Sequence, residues 1–250
     1  MARSKLTLVA TLALLAAVCV PTKAVADDTG LIVEAAVEKK INKKASVDLE
    51  AEFRTRNDFR TADRIALALG GEYKLTTWLK ADAGYQLLID NNKEKLTFNT
   101  DGSYNNWRPS YWGTRHRFYV SLTASYKWNR VSFSLREQWR YTYRPEKTTE
   151  RYDFDNSWWE DKAVSSKGKH VLRSRLKVQW DIPKSKFTPW ASYELFNSLS
   201  LDKTRLQAGV DYSLLKKHTF TLYYRYQNVR EDDDGEGNSH YLGVGYKYKF

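Results

Sequence analysis

Two-residue periodicity runs through nearly the whole chain. In "ASVDLEAEF", Ala45, Val47, Leu49, Ala51 and Phe53 alternate with Ser46, Asp48, Glu50 and Glu52. Successive side chains of an extended strand point to opposite faces, so these two sets lie on opposite sides of a sheet. "RIALALGGEY" sets Ile65, Leu67, Leu69 and Tyr73 against Arg64, Ala66, Ala68, Gly70 and Glu72. "LKADAGYQLLI" sets Leu79, Ala81, Ala83, Tyr85, Leu87 and Ile89 against Lys80, Asp82, Gly84 and Gln86. "RHRFYVSLTASY", "VSFSLREQWRYTY" and "VLRSRLKVQW" repeat the pattern, and "FTPWASYELF", "RLQAGVDY" and "TFTLYYRYQNV" carry it more weakly. With residues 31–38 in front and "HYLGVGYKYKF" behind, the pattern predicts about eleven strands of roughly eight to thirteen residues. A tilted membrane-crossing strand needs about 9–11. Sidedness alone leaves two folds open, a soluble barrel with its oily face inward and a membrane barrel with its oily face outward.

The front of the chain bears on that choice. Arg3 and Lys5 precede an apolar run from Leu6 to Val20, followed by Pro21 and a small-residue site at Ala24, Val25 and Ala26. This is the three-part layout of a secretory signal peptide, with cleavage expected before Asp27. The run is too short for a spanning helix, which needs about 20 residues. The expected domains are therefore a signal peptide at 1–26 and one all-β domain at 27–250. The single cysteine, Cys19, falls inside the leader, so a mature chain cleaved there has no disulfide and no thiolate metal ligand. Lipidation of Cys19 is the less favoured alternative, because Val18 before it is bulky. Cleavage lowers the formal charge from +11 to about +8. No later segment has the length and apolarity of a membrane helix, so a closed barrel is the one remaining spanning form.

Three further features point to the membrane. The connections alternate in length. Short ones lie at "KINKK", "KLTTW", "KWNR", "DIPKSK" and "LLKKH", and longer ones at 55–63, 90–114, 144–169 and 230–239, with a brief one at 197–204. Short inner turns and longer outer loops are the outer-membrane pattern. Tyr73, Trp78, Tyr126, Trp128, Trp180, Phe187 and Tyr212 flank the short turns, whereas Trp139, Tyr141, Tyr143, Tyr224 and Tyr226 lie toward the long ones. Rings with one polar end settle at headgroup level, and two such bands make barrel girdles. Finally, Leu242, Val244, Tyr246, Tyr248 and Phe250 share one face of the last strand. An alternating apolar end with a final Phe resembles the signal by which barrels are recognised for outer-membrane insertion, which implies the barrel-assembly machinery as a partner beside the outer-membrane lipids.

An odd strand number is unusual for a single-chain bacterial barrel. Residues 31–38 could close parallel to the final strand, lie outside a ten-strand barrel, or be balanced by a strand hidden in a long loop. Glu137 also breaks the pattern, because its register points to lipid. A bulge near "REQW" or a place at the rim would relieve the cost.

As a set, "VEKKINKKASVDLEAEFR", "YWGTRHRFYVSLTASYKW", "SLREQWRYTYRPE", "LRSRLKVQWDIPKSKFTPWASYELFN", "LDKTRLQAGVDYSLLKKHTFTLYYRYQ" and "HYLGVGYKYKF" resemble a family of bacterial outer-membrane barrel proteins known only as a domain of unknown function. The resemblance covers nearly the whole mature chain, and "IPKSKFTP" and "YKYKF" are its most specific parts. It implies an all-β, antiparallel up-and-down transmembrane barrel of about ten to twelve strands, in the outer membrane. It implies no activity.

The polar face holds the chemistry. Arg115, Arg117, Arg136, Arg140, Arg173, Arg175, Lys177, Arg205 and Arg225 form a basic ladder on the middle and later strands. Asp48, Glu50, Glu52, Glu72 and Asp82 lie on earlier strands, with Glu194 and Asp211 later. In a closed barrel these faces meet across the lumen. Either they pair and plug it, as buried charges must, or the Arg and Lys ladder lines a small pore for anionic solutes. An interaction barrel is the competing reading: Trp107, Tyr111, Trp112, Trp158 and Trp159 in the outer loops could hold a protein or glycan, or simply cover the mouth. A lipid hydrolase is the remote one. His170 and Ser174 share a face but are roughly 13 Å apart along the strand, beyond the reach of a nucleophile and its base. The expectation is a monomer without catalysis, cofactor or metal site. "EDDDGEGNS" lacks the alternating Asp/Asn spacing of a calcium loop. A basic chain can bind nucleic acid, but secretion into a membrane argues against it.

Overall fold

In the computed structural model, described over residues 27–230 and 237–250, the alternating segments become strands. They are β1 (Asp28–Lys40), β2 (Ala45–Arg56), β3 (Thr61–Lys74), β4 (Leu79–Asn92), β5 (Lys95–Phe98), β6 (Tyr104–Arg108), β7 (Tyr111–Trp128), β8 (Val131–Arg144), β9 (Lys147–Asp153), β10 (Trp158–Val164), β11 (Lys167–Trp180), β12 (Phe187–Asn197), β13 (Leu201–Leu214), β14 (His218–Val229) and β15 (Ser239–Lys249). The signal-peptide and Cys19 readings fall on residues 1–26, outside the described residues, as does most of the "EDDDGEGNS" loop.

Eleven of these strands close into a barrel in the order β1-β15-β14-β13-β12-β11-β8-β7-β4-β3-β2. All neighbours are antiparallel except the closing pair, where β1 runs parallel to β15 from Asp28 against Ser239 to Glu38 against Lys249. Of the three ways to accommodate an odd count, the chain takes the first. β1 can serve both partners because its other edge pairs with β2 in the ordinary antiparallel way, and the Phe250 N–H donates to the Glu38 carbonyl at 2.9 Å at the foot of the seam. Closure leaves no free edge, so every ladder hydrogen bond is made within the barrel.

The sidedness is that of a membrane barrel. Outward Leu69 and Leu122 are 59% and 50% exposed, while inward Arg54 and Glu194 are 4% and 0% exposed. Apolar burial is correspondingly slight, and the packed apolar cluster consists of Ile32, Tyr223 and Tyr241 with Trp190 against it. An oily outer belt around a polar interior is stable only with hydrocarbon outside, so this is a transmembrane barrel. Trp78, Tyr126, Trp128 and Phe187 stand exposed beside the short turns, as a girdle requires.

The upper rim differs from expectation. Residues 57–60, expected to lie within a longer loop, are a tight connection, because β2 and β3 run further than their hydrophobic alternation does; the connection expected to be brief at 197–204 is residues 198–200. Arg54, Arg56 and Asp63 extend these strands by pairing across the rim, which the oil/water pattern does not encode. Two other long loops are themselves hairpins. β5–β6 lies between β4 and β7, β9–β10 lies between β8 and β11, and the four strands form a second sheet in the order β10-β9-β6-β5. β8 pairs with both neighbours without a register shift, so no bulge relieves Glu137. Its carboxylate stays on the outer face and accepts from the Ser174 hydroxyl on β11 at 2.6 Å.

Candidate functional site

The lumen encloses a cavity of about 710 Å³, and all nine residues of the basic ladder line it, as do Asp48, Glu50, Glu52, Glu72 and Asp82. Glu194 and Asp211 lie on the same inner face but are occupied by neighbouring side chains. The ladder is a consequence of the pleat: on each strand, every second residue points inward. What the pleat does not decide is which charges neutralise each other.

At the upper rim the pairing is dense. Arg54 and Arg56 both reach Asp63, at 2.6 and 3.1 Å. Arg64 pairs with Asp90, whose other oxygen lies 3.2 Å from Arg115. Arg117 is held by Gln86 at 3.1 Å and Thr142 at 3.0 Å. One storey down, buried Glu194 is gripped by Arg173 and lies 3.4 Å from Arg205. The ring of Phe196 sits among four cations, with Arg205 at 4.8 Å, Lys203 at 5.2 Å, Arg173 at 5.3 Å and Arg140 at 5.8 Å from its centre. A ring face attracts cations, so Phe196 steadies guanidiniums that would otherwise repel each other. On the closing side, Tyr223 donates to Glu34 at 2.8 Å and accepts from Arg225 at 3.2 Å. Its ring fills the slot above Gly243, where a Cβ would overlap it. Glu72 pairs with Lys80 at 2.5 Å, Asp82 accepts from Ser121 at 2.5 Å, and Asp211 accepts from Trp190 and Thr221 at 3.0 and 2.8 Å.

A second group is uncommitted. Among the described residues, Arg136 and Arg175 make no hydrogen bond or ion pair, and the Nε of each is shielded from solvent without an acceptor. Arg140 donates only to Gln138, at 2.6 Å. Lys177 lies 4.3 Å above the Trp190 ring. These four occupy neighbouring β8 and β11 and look into one cavity. Asp48, Glu50 and Glu52 on β2 likewise make no hydrogen bond or ion pair among the described residues.

Of the charged residues expected at the lumen, Glu194 and Asp211 do not line the cavity itself, and the others do. Sequence reasoning missed the inner aromatics Tyr119, Trp190, Phe196 and Tyr223. A signal was present: Tyr119 is two residues from Arg117, Phe196 two from Glu194 and Tyr223 two from Arg225, so each shares an inward parity. It also missed the rim pairs of Arg54, Arg56 and Arg64, whose partners come from other strands.

The outer aromatics divide. Trp107 and Trp159 sit 5.7 Å apart on the second sheet and continue through Tyr152, Phe154, Tyr104 and Phe98, with successive ring centres 5.0–5.4 Å apart. Trp158 lies beside Trp159 on β10 and is exposed. Tyr111 and Trp112 begin β7; the Tyr111 ring lies under Arg108, and the Trp112 carbonyl accepts from Lys147. At the tip of this sheet, the Asn156 side chain and the N–H groups of Asn156 and Asp155 hold the Asp153 carboxyl below its ordinary range. Leu242, Val244 and Tyr246 face outward, and Tyr248 and Phe250 pack edge to face at 4.7 Å. The histidines serve neighbouring rings: His116 bonds the Tyr85 hydroxyl at 2.7 Å, His218 bonds that of Tyr246 at 3.0 Å, His170 stacks on Trp139, and His240 bonds Tyr224. His218, which the sequence places in the short turn "LLKKH", instead begins β14. Ser174 is engaged by Glu137, with no histidine between them.

No curated protein matches the chain. Among solved structures, it is similar to the β domain of the Bordetella autotransporter BrkA, at 14% identity and TM-score 0.49, covering 81% of this chain and 78% of that one. It is also similar to the NanC porin, at 15% identity and TM-score 0.48, covering 90% of this chain and 100% of that one. A family model described as "Protein of unknown function (DUF2490)" matches residues 30–238, which is most of the chain, and the protein belongs to that family.

Proposed function

We propose that this protein is an outer-membrane channel for small solutes, with a lumen that favours anions over cations. The carrying observation is the group Arg136, Arg140 and Arg175, which lines the cavity and makes no ion pair with a carboxylate among the described residues. A plug built from salt bridges would neutralise such groups, because uncompensated buried charge is costly. Left without a paired carboxylate, they attract mobile anions, as rings of Arg do in anion pores. The oily belt and girdles suit the outer membrane, reached after removal of residues 1–26. The outward row from Leu242 to Phe250 serves as the assembly address. No residue in the reading acts as a catalyst.

A second reading, an interaction barrel, draws on the exposed aromatic row of the second sheet, which could hold a protein or glycan. Planar-bilayer recording separates the two. The channel reading expects unit conductance with a reversal potential on the anion-selective side in a KCl gradient. Arg136→Gln with Arg175→Gln should lower the Cl⁻/K⁺ permeability ratio by roughly two- to fivefold, a fraction of a kcal/mol of the kind expected for partly screened charges. A correctly folded barrel that stays silent would remove the channel reading and leave the aromatic sheet as the working surface.

A further inference from the structure

The uncommitted lumen charges are sorted by wall. Asp48, Glu50 and Glu52 project from β2, whereas Arg136, Arg175 and Lys177 project from β8 and β11. Around the barrel, β2 and β11 are five strands apart in one direction and six in the other, so they face each other across the lumen. The levels match too. Glu50 is five residues above Ala45 at the short-turn end of β2, Arg136 is five above Val131 on β8, and Arg175 is five above Trp180 on β11. Asp48 and Lys177 are each three above those ends. A single cavity of about 710 Å³ thus has an acidic wall and a basic wall at one height, neither engaged in a hydrogen bond or ion pair among the described residues. Had the fold needed these charges only to neutralise each other, strands nearer together would have paired them, as they do at the rim. Between these two groups the field points from wall to wall, transverse to the barrel axis. A simple anion gains on one wall and is repelled by the other. A molecule bearing one charge of each sign gains on both.

We propose that the lumen binds and conducts zwitterionic solutes, held crosswise with the anionic end on Arg136 and Arg175 and the cationic end on Glu50 and Glu52. This rests on the channel reading and narrows its solute class. The test uses three probes of equal length: 6-aminohexanoate, hexanoate and hexylammonium. Each is added to the refolded full-length mature barrel in planar bilayers, and the concentration that halves the chloride current is read. Two engaged charges instead of one should make 6-aminohexanoate block on the order of tenfold more strongly than either single-charge probe, the worth of one further partly shielded ion pair. Glu50→Gln with Glu52→Gln should bring the ratio of 6-aminohexanoate to hexanoate block near one. Arg136→Gln with Arg175→Gln should do the same against hexylammonium. Conduction with equal block by hexanoate and 6-aminohexanoate, or ratios unmoved by these variants, would overturn the proposal while leaving the channel standing. Should the barrel not conduct, the channel reading fails by itself. Equilibrium dialysis of 6-aminohexanoate against the detergent-solubilised barrel then decides the binding site, supported by retention lost in either variant and overturned by none in the parent.

Discussion

At the scale of single residues, the lumen and the outer wall treat charge differently. Inside, Glu194 is fully buried yet has two guanidiniums beside it, so its burial is compensated. Outside, Glu137 has only a serine hydroxyl, and it is the one charged side chain among the outward positions of the belt between Phe133 and Trp139 on its strand. It stands six residues above Val131, near the middle of β8, where hydrocarbon is deepest. A carboxylate there is costly, though less so than Lys or Arg. Glu137→Leu is therefore expected to stabilise the barrel by about 1–2 kcal/mol, read as a higher urea midpoint for the protein refolded in lipid vesicles. An unchanged or lower midpoint would mean that the carboxylate contacts something other than lipid tails. The alternation placed this residue outward without the structure. The misreading was in expecting the backbone to correct for it, since a carboxyl with one good hydrogen bond needs no bulge to persist.

At the scale of elements, most strands could be read directly, because alternation, turn composition and aromatic ends all agreed on them. "KWNR" is a case in point: Asn129 takes a positive φ of 54°, which Asn tolerates better than most residues. The parts that could not be read are those where polar residues continue a strand. Arg54 and Arg56 lengthen β2 through Asp63, and β9 and β10 pair although Arg151 and Glu160 share a face with Thr149 and Lys162 rather than with a clean apolar row. Hydrophobic periodicity reports burial against oil, so it is silent above the membrane. The parallel seam was undecidable for a similar reason: a strand's own pattern does not state the direction of its neighbour. Val33 and Val244 face each other across that seam, both outward. Val33→Cys with Val244→Cys should form a disulfide on oxidation, because directly opposed strand residues lie within bridging range. The mature chain contains no other thiol once residues 1–26 are removed. The cross-linked barrel should keep its folded gel mobility to a higher temperature than the reduced form. Failure to cross-link, alongside successful linkage of a control pair such as Leu49 and Leu69 on β2 and β3, would refute the seam.

At the scale of the whole molecule, the charge distribution and the oily belt act in perpendicular directions. The belt fixes the barrel upright in a bilayer, and the sorted lumen charges set a field across it. The first was evident from sequence, since the side chains of each strand announce it. The second was only half evident: the basic and acidic sets were visible, but which strands face each other depends on the closure order, and pairing depends on neighbours remote in sequence. The belt makes one plain expectation. Purified mature protein should remain a dispersed monomer in detergent micelles, by sedimentation, and should aggregate when detergent is removed without lipid. A monodisperse detergent-free monomer would contradict the outward assignment of Leu69, Leu122 and their row.

An odd circuit of strands has a topological result. β1 starts beside Asn238 at the rim that carries the second sheet, whereas β15 finishes beside Lys217 and Glu38 at the opposite rim. In a circuit with an even number of strands, both ends of the polypeptide would emerge on one side. Here the amino end of β1 and the carboxyl end of β15 open on opposite rims, so a short epitope fused ahead of Asp28 is expected to be reached by antibody only from the side that carries the second sheet.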